Sequence, residues 1–315
     1  MYNEVKLSRP SLAIDSLHDG RHALSHAAIA RESIPYLIHL PQEGLATFTY
    51  TWVNGAGEAG AAFALFGPGV GDQPIQQKLP DRLVSDDMNF SDWQIEKFSM
   101  QQDLKFKDAK VRWETPEASI DFEFSALHPP YAYGSNKDGC PPYAATDRVE
   151  QSGRVKGTLE LNGKTVAFDT VGHRDHSWGT RVWSTFQYYN WFQGQSEDGA
   201  IAVHYWRFFA LGREHLRGYV LKDGLMAEVV GLQTEVVFDD KLQQQTLMST
   251  IVDDAGRTTE LRAEFYAHYT LLPVPETSLR EGAAKASYDG APGVGWMEVG
   301  WPTQYLELLA ESAKT

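Results

Sequence analysis

The sequence predicts an all-β protein folded as two barrel-like halves side by side, with few and short helices. Three observations predict this. Turn dipeptides recur between runs of alternating apolar and polar residues: Asn54-Gly55, Asn162-Gly163, Asp223-Gly224, and the Asp254-Ala255-Gly256 turn. Asn or Asp before Gly tolerates the positive φ of a tight hairpin, and the period-2 runs between the turns suit half-buried strands. No Gly-x-Gly-x-x-Gly stands between a strand and a helix, so a dinucleotide fold has no support.

Asn54-Gly55 separates the strand-like run 47–52 from 61–66, and Asn162-Gly163 separates 155–161 from 164–168. Helical pattern is confined to two places. A short helix is expected around 23–31. A terminal one is expected over 302–314, where Pro302 precedes Tyr305, Leu306, Leu308 and Leu309. Residues 67–80 read as loop. The stretch 128–147 carries Pro129-Pro130, Gly134, Gly139 and Pro141-Pro142, too many prolines for a sheet ladder. The chain is therefore expected to divide there, into an N-terminal β domain (1–147) and a C-terminal β domain (148–315).

With 315 residues, 42% of them apolar, the chain can bury a large core. A net charge of −14 argues against a nucleic-acid partner, which needs Lys and Arg against phosphate. It also argues against an anionic membrane surface. The plainest consequence of that charge is a well-solvated surface. Cys140 is the only cysteine, so no intrachain disulfide forms, as suits a reducing compartment. Residues 1–13 show no basic segment followed by an apolar run. No stretch approaches the ~18 apolar residues of a spanning helix. A cytoplasmic location is the expectation.

The chemistry concentrates in 172–181, Gly-His-Arg-Asp-His-Ser-Trp-Gly-Thr-Arg, directly after the strand-like run 166–171. A buried Asp175 needs a partner, which Arg174, Arg181 or a His can supply. One reading is an ion-paired corner that braces the two halves. Another is a metal site: His173 and His176 flank Asp175, with His204 or His215 joining from later strands. Against it, the chain has no Cys pair and no His-Glu-x-x-His helix. Downstream, ten aromatic residues fall between Trp183 and Phe209. Alternation places Phe186, Tyr188, Asn190 and Phe192 on one face and Tyr189 and Trp191 on the other. The next strand splits into His204, Trp206, Phe208 and Tyr205, Arg207, Phe209. These rings are either core or the wall of a pocket for an apolar guest.

Joining the two features gives a mechanism. An Asp in a dry, ring-lined cavity has its pKa raised by desolvation and remains a proton donor. Protonating an alkene makes a carbocation, which aromatic faces and a carboxylate stabilise. Asp175 is the candidate acid and His176 its tuning partner or proton shuttle. Trp178, Trp191 and Trp206 are the cation-stabilising walls. Trp183, Tyr188, Trp191, His204, Trp206 and Phe208 are the candidate substrate-binding residues. The scheme calls for no cofactor and no metal. The rival reading is a carrier that binds the same kind of apolar small molecule and catalyses nothing. Glu298 is an outside candidate for a pocket carboxylate. Tyr131, Tyr133 and Tyr143 read as loop packing or as a lid.

The run 149–155, Val-Glu-Gln-Ser-Gly-Arg-Val, with Gly157, Asn162-Gly163 and then 172–181, resembles the carotenoid 1,2-hydratase (hydroxyneurosporene synthase) and AttH-like group. That group is related to tocopherol-cyclase-like proteins. The resemblance is clearest over 148–210. It implies two lipocalin-like antiparallel barrels, and hydration, dehydration or cyclisation of isoprenoid or similar apolar substrates. In the hydratases a His-x-Trp pair and a later Tyr-x-Asp pair are associated with catalysis. His176 and Trp178 match the first pair. The stretch comparable to the second reads Val203-His204-Tyr205-Trp206 and lacks the acid. Either Asp175 takes that role or this chain does different chemistry.

Overall fold

Two large, curled, antiparallel sheets account for most of the chain in a computed structural model that describes residues 4–27 and 29–312. The C-terminal sheet contains a ring of eight strands. In order they are Phe186–Ser196, Ala202–Ala210, Arg213–Lys222, Leu225–Phe238, Gln244–Asp253, Thr258–Val274, Thr277–Tyr288 and Ala291–Pro302. Each pairs with the next, and the last pairs back onto the first. Closure removes the free edges that would otherwise recruit other chains. A ninth strand, Lys6–Leu7, lies parallel to Leu225–Phe238.

The other sheet has twelve strands. At its centre Ala30–Leu40 pairs with Lys164–Thr180, which pairs with Asp147–Leu161, which pairs with Ala118–Ala126. The sheets therefore do not divide at 147/148 as the prolines suggested; the 147–180 hairpin belongs to the first sheet, and the change of sheet comes after Thr180. The cause is the ladder. Gly172 to Thr180 find their partners in Ile38 to Ala30, while Leu161 to Gly153 find theirs in Ala118 to Ala126. The proline-rich connection loops out and returns to the same sheet, contributing Tyr131–Ala132 as a short strand against Glu150 and Val149.

Asn162 and Gly163 (φ 51° and 75°) and Asp223 and Gly224 (55° and 68°) make the two-residue turns the sequence predicts. Asn54-Gly55 does not. There the positive φ falls on Gly57, and the Asn54 side chain accepts from the backbone N–H groups of Ala56 and Glu58 to build a longer turn. The terminal helix is observed as Thr303–Ser312, and Ala313 and Lys314 lie outside the described residues. The helix expected around 23–31 is not observed: the strand begins at Ala30, because pairing on both sides outweighs the local alanine content. Ala28, within that span, lies outside the described residues.

Three of the four apolar clusters among the described residues make up most of the core. One is drawn from the first sheet, including Tyr36, Phe63, Trp93, Trp113 and Phe122. Another is drawn from the ring, including Phe192, Tyr205, Tyr288 and Met297. The third joins the sheets: Leu37, Ala46, Ala64 and Phe66 of the first meet Tyr189, Trp191, Trp206, Phe208 and Trp296 of the ring. Residues 172–178 are buried throughout because their strand has its own sheet's core on one face and the ring on the other. Close approach there needs glycine. A Cβ on Gly172 would sit 2.6 Å from Val155 and 2.7 Å from the Leu37 carbonyl oxygen. Gly172→Ala is expected to cost about 1–3 kcal/mol through overpacking, measured by denaturant unfolding; an unchanged midpoint would contradict the packing described.

Candidate active site

The turn at Asn162-Gly163 fixes the register of the hairpin so that Glu150 faces Asp175, Ser152 faces His173 and Arg148 faces Ser177. His173 and Asp175 point to the ring, while Arg174, His176 and Trp178 point the other way. Two buried carboxylates are thus directly opposed, an arrangement that is unfavourable without a cation between them. Arg148 supplies it. Its Nε donates to Glu150 Oε1 at 2.6 Å and its Nη2 to Asp175 Oδ2 at 2.8 Å. The guanidinium is boxed by the rings of Trp206, Trp191 and Tyr133, 5.5–5.8 Å away.

The two acids share this cation unequally. Glu150 also accepts from Tyr133 Oη (2.8 Å), Trp191 Nε1 (2.9 Å) and His173 Nε2 (2.8 Å). Burial alone would raise its pKa, but Arg148, His204 and His173 outweigh burial and hold it far below the usual carboxylate range. For Asp175, burial comes first and raises the pKa. Arg148 opposes it, Glu150 and Glu298 reinforce it, and the carboxyl is pushed up to about 8. The physical picture is one guanidinium for two carboxylates: the acid with more donors keeps the charge, and the other keeps its proton. Asp175 is only 6% exposed.

The ring adds further groups in register. Glu281 faces Glu298, Glu298 faces Trp191, and Trp191 faces Trp206. Tyr189 Oη donates to Glu298 at 2.5 Å, and Trp296 Nε1 donates to Glu281 at 2.7 Å. Burial, and then the neighbouring Glu298, push Glu281 well above the usual range. His204 Nδ1 donates to the Phe192 carbonyl at 2.9 Å, and its Nε2 lies 2.9 Å from Tyr133 Oη, for whose single proton it competes with Glu150. Burial lowers its pKa to about 3, so it is neutral.

The structure brings Asp175, Trp191, His204, Trp206 and Phe208 together at the junction of the sheets. It separates His176 and Trp178 from Asp175. His176 Nε2 meets Glu32 at 2.7 Å, and Trp178 stacks on His22 at 3.8 Å, both on the opposite face of the strand. His176 is therefore not the neighbour that tunes Asp175; strand alternation forbids it. Tyr188 also leaves the set. A register shift between Phe186 and Tyr188 sends Phe186 to the junction, while Tyr188 packs on Trp301 with ring centres 4.5 Å apart. Trp183 lies under the Arg181 guanidinium and lines an open cleft of about 730 Å³ with Phe186, Thr277, Trp301, Pro302 and Tyr305. Asp175 is not in that lining. Phe186, in the lining, packs on both Trp183 and Trp206, and Trp206 in turn faces the Arg148 guanidinium. Arg148 and Glu150 are the site residues that the sequence reading missed; Tyr133, expected as loop packing or a lid, is buried and donates to Glu150.

Among the described residues, two groups of side chains have donor atoms close enough to share an ion, Glu150–His173–His204 and His22–Glu32–His176. In the first, Arg148 already lies on the carboxylate.

The family described as a domain of unknown function (DUF7064) matches residues 15–303, and the chain belongs to it. No curated protein sequence matches the chain. Among solved structures it is similar to an AttH-like protein from Nitrosomonas europaea, at 14% identity and a TM-score of 0.64, covering 92% of this chain and 98% of that one. It is also similar to kievitone hydratase from Nectria haematococca, at 8% identity and a TM-score of 0.61, covering 94% of each. A third is CghA, at 12% identity and a TM-score of 0.60, covering 93% of this chain and 96% of that one. At these identities the likeness is one of fold.

Proposed function

We propose that this chain is a cofactor-independent lyase or cyclase that protonates a carbon–carbon double bond of an apolar, terpenoid-like substrate. The observation that carries the reading is the pair Glu150 and Asp175 on one guanidinium, beside Trp191 and Trp206. Asp175 hands its proton to one alkene carbon. The positive charge left on the other carbon lies among ring faces and near the Asp175 and Glu150 carboxylates. Water then adds and returns a proton to Asp175, which gives hydration; attack by an internal hydroxyl that gives up its proton to Asp175, or by an internal alkene whose new cation then loses a C–H proton to Asp175, instead gives a ring. The reverse sequence is dehydration. The fold shared with kievitone hydratase, a hydratase by name, supports the class of reaction. The apolar cleft beside Trp183 is the proposed seat for the substrate, with Phe186 as the ring that must swing aside.

The test is isotopic. Acyclic terpenoid alkenes incubated with the protein in D₂O should gain carbon-bound deuterium. Binding without label describes a carrier and would overturn the reading. Because the donor is the protonated form of Asp175, kcat/KM should hold below about pH 8 and fall roughly tenfold per unit above it. A rate that instead rises with pH through that range would exclude Asp175 as the acid.

A further inference from the structure

We infer that His22, Glu32 and His176 form a binding site for a first-row divalent transition metal, of which zinc has the best-matched chemistry. The site lies on the face of the Lys164–Thr180 strand opposite Asp175, and the inference does not depend on the acid chemistry above.

Glu32 stands on the Ala30–Leu40 strand, paired with Trp178 of the neighbouring strand. Two imidazoles converge on one of its oxygens: His22 Nδ1 at 2.6 Å and His176 Nε2 at 2.7 Å from Oε1. The three donor atoms lie within 4.8 Å of one another. Ligands at ~2.0–2.2 Å from one zinc ion stand about 3–3.5 Å apart, so small side-chain shifts admit an ion. Two imidazoles and one carboxylate suit zinc and its transition-metal neighbours, not magnesium or calcium, which take oxygen.

The surroundings favour a cation. Among the described residues, the hydrogen bonds to Glu32 come from His22 and His176, with no guanidinium on the carboxylate. This is the contrast with Glu150, where Arg148 fills the cationic role. The backbone N–H of His22 donates to Glu32 Oε2 at 2.9 Å and orients the carboxylate. His22 Nε2 faces His18 Nδ1 at 3.0 Å, so His18 fixes the His22 tautomer from outside. Trp178 lies flat on His22, 3.8 Å away at an interplanar angle of 8°, and holds its ring plane. His22 is 16% exposed and lines a cleft of about 520 Å³ with His26, Asn54, Asp87 and Asn89, which supplies an entry path and room for water. Among the described residues, His176 Nδ1 has no hydrogen-bond partner and is buried. Lacking that outer hydrogen bond weakens a site by roughly 10–100-fold, so the site should bind less tightly than closed structural zinc sites.

The test uses the full chain, stripped with EDTA and dialysed, titrated with Zn²⁺ by calorimetry and with Co²⁺ by visible absorption. One ion per chain is expected, with a rise in Tm on adding Zn²⁺ and none on adding Mg²⁺. His22→Ala, the mildest change because that side chain is partly exposed, should weaken Zn²⁺ binding at least 100-fold and abolish the Tm rise. His18→Phe should weaken it by roughly 10–100-fold. No saturable binding by the folded wild type would overturn the inference. Binding that survives His22→Ala unchanged would also do so, since the ion would then sit elsewhere.

Discussion

Replacing Asp175 with Asn should abolish turnover while leaving the protein folded and able to bind its ligand. Loss of a general acid costs about 10²–10⁴ in rate, and Asn keeps an oxygen to accept from Arg148 Nη2 where Asp175 Oδ2 now does. Stability should respond in the opposite direction. The folded-state pKa of Asp175 is raised from 3.8 to about 8, so its contribution to stability is fully present below about pH 4 and lost as pH rises to about 8. Wild-type Tm should decline from about pH 6.5 to 8; at lower pH the buried histidines His39, His128 and His204, each lowered from 6.5 to about 3, make stability rise with pH and oppose the Asp175 contribution. Asp175→Asn should flatten the decline in part, because Glu281 is raised by the same physics and keeps its own share. Difference infrared spectra should show the carbonyl stretch of a protonated carboxyl at neutral pH that vanishes in the variant. An Asp175→Asn protein that turns over at wild-type rate would remove the acid from the scheme.

Arg148→Met should damage the fold more than any other single change at the junction. It deletes the one cation that two opposed, buried carboxylates share. Removing one partner of a buried ion pair typically costs about 3–5 kcal/mol, since a charge is left uncompensated. In a chain of this size that corresponds to a fall in Tm on the order of 10 °C. Arg148→Lys should recover only part of the loss, because an ammonium cannot bridge both acids as the planar guanidinium does. The double variant Arg148→Met/Glu150→Gln should be more stable than Arg148→Met alone, the sign of a coupled pair. A single variant with unchanged Tm would mean that the arginine does not hold the two acids together.

Much of the strand pattern was readable because turn chemistry is local. Asn162-Gly163 and Asp223-Gly224 form where the dipeptides stand. The motif 172–181 was legible as the centre of chemistry, yet its partners were not. Glu150 is reached from Asp175 by a count the sequence permits: from the turn at 162–163, Leu161 faces Lys164, and counting outward places Glu150 opposite Asp175. Placing 172–181 after the strand-like run 166–171, not within it, hid this, because charged residues on a doubly buried strand run against simple patterning. Treating 172–181 as continuous strand would also have separated His176 from Asp175 by alternation. The Tyr188 error has another source. A bulge shifts the face of one residue and leaves no mark in hydrophobic period. The change of sheet falls after Thr180 and not in the proline-rich stretch, because those prolines mark an excursion and long-range pairing decides which sheet a hairpin joins.

The ring that closes between its first and last strands has a consequence for how the protein is made. Phe186–Ser196, which carries Trp191, awaits its second neighbour until Ala291–Pro302 has been synthesised. At roughly 5–20 residues per second, that open edge faces the cell for roughly 5–20 s of translation. Pairing across so long a stretch of chain is also slow once synthesis ends. A chain cut short before Ala291 would carry a permanently unpaired, aromatic-rich strand, the kind of surface on which aggregates start.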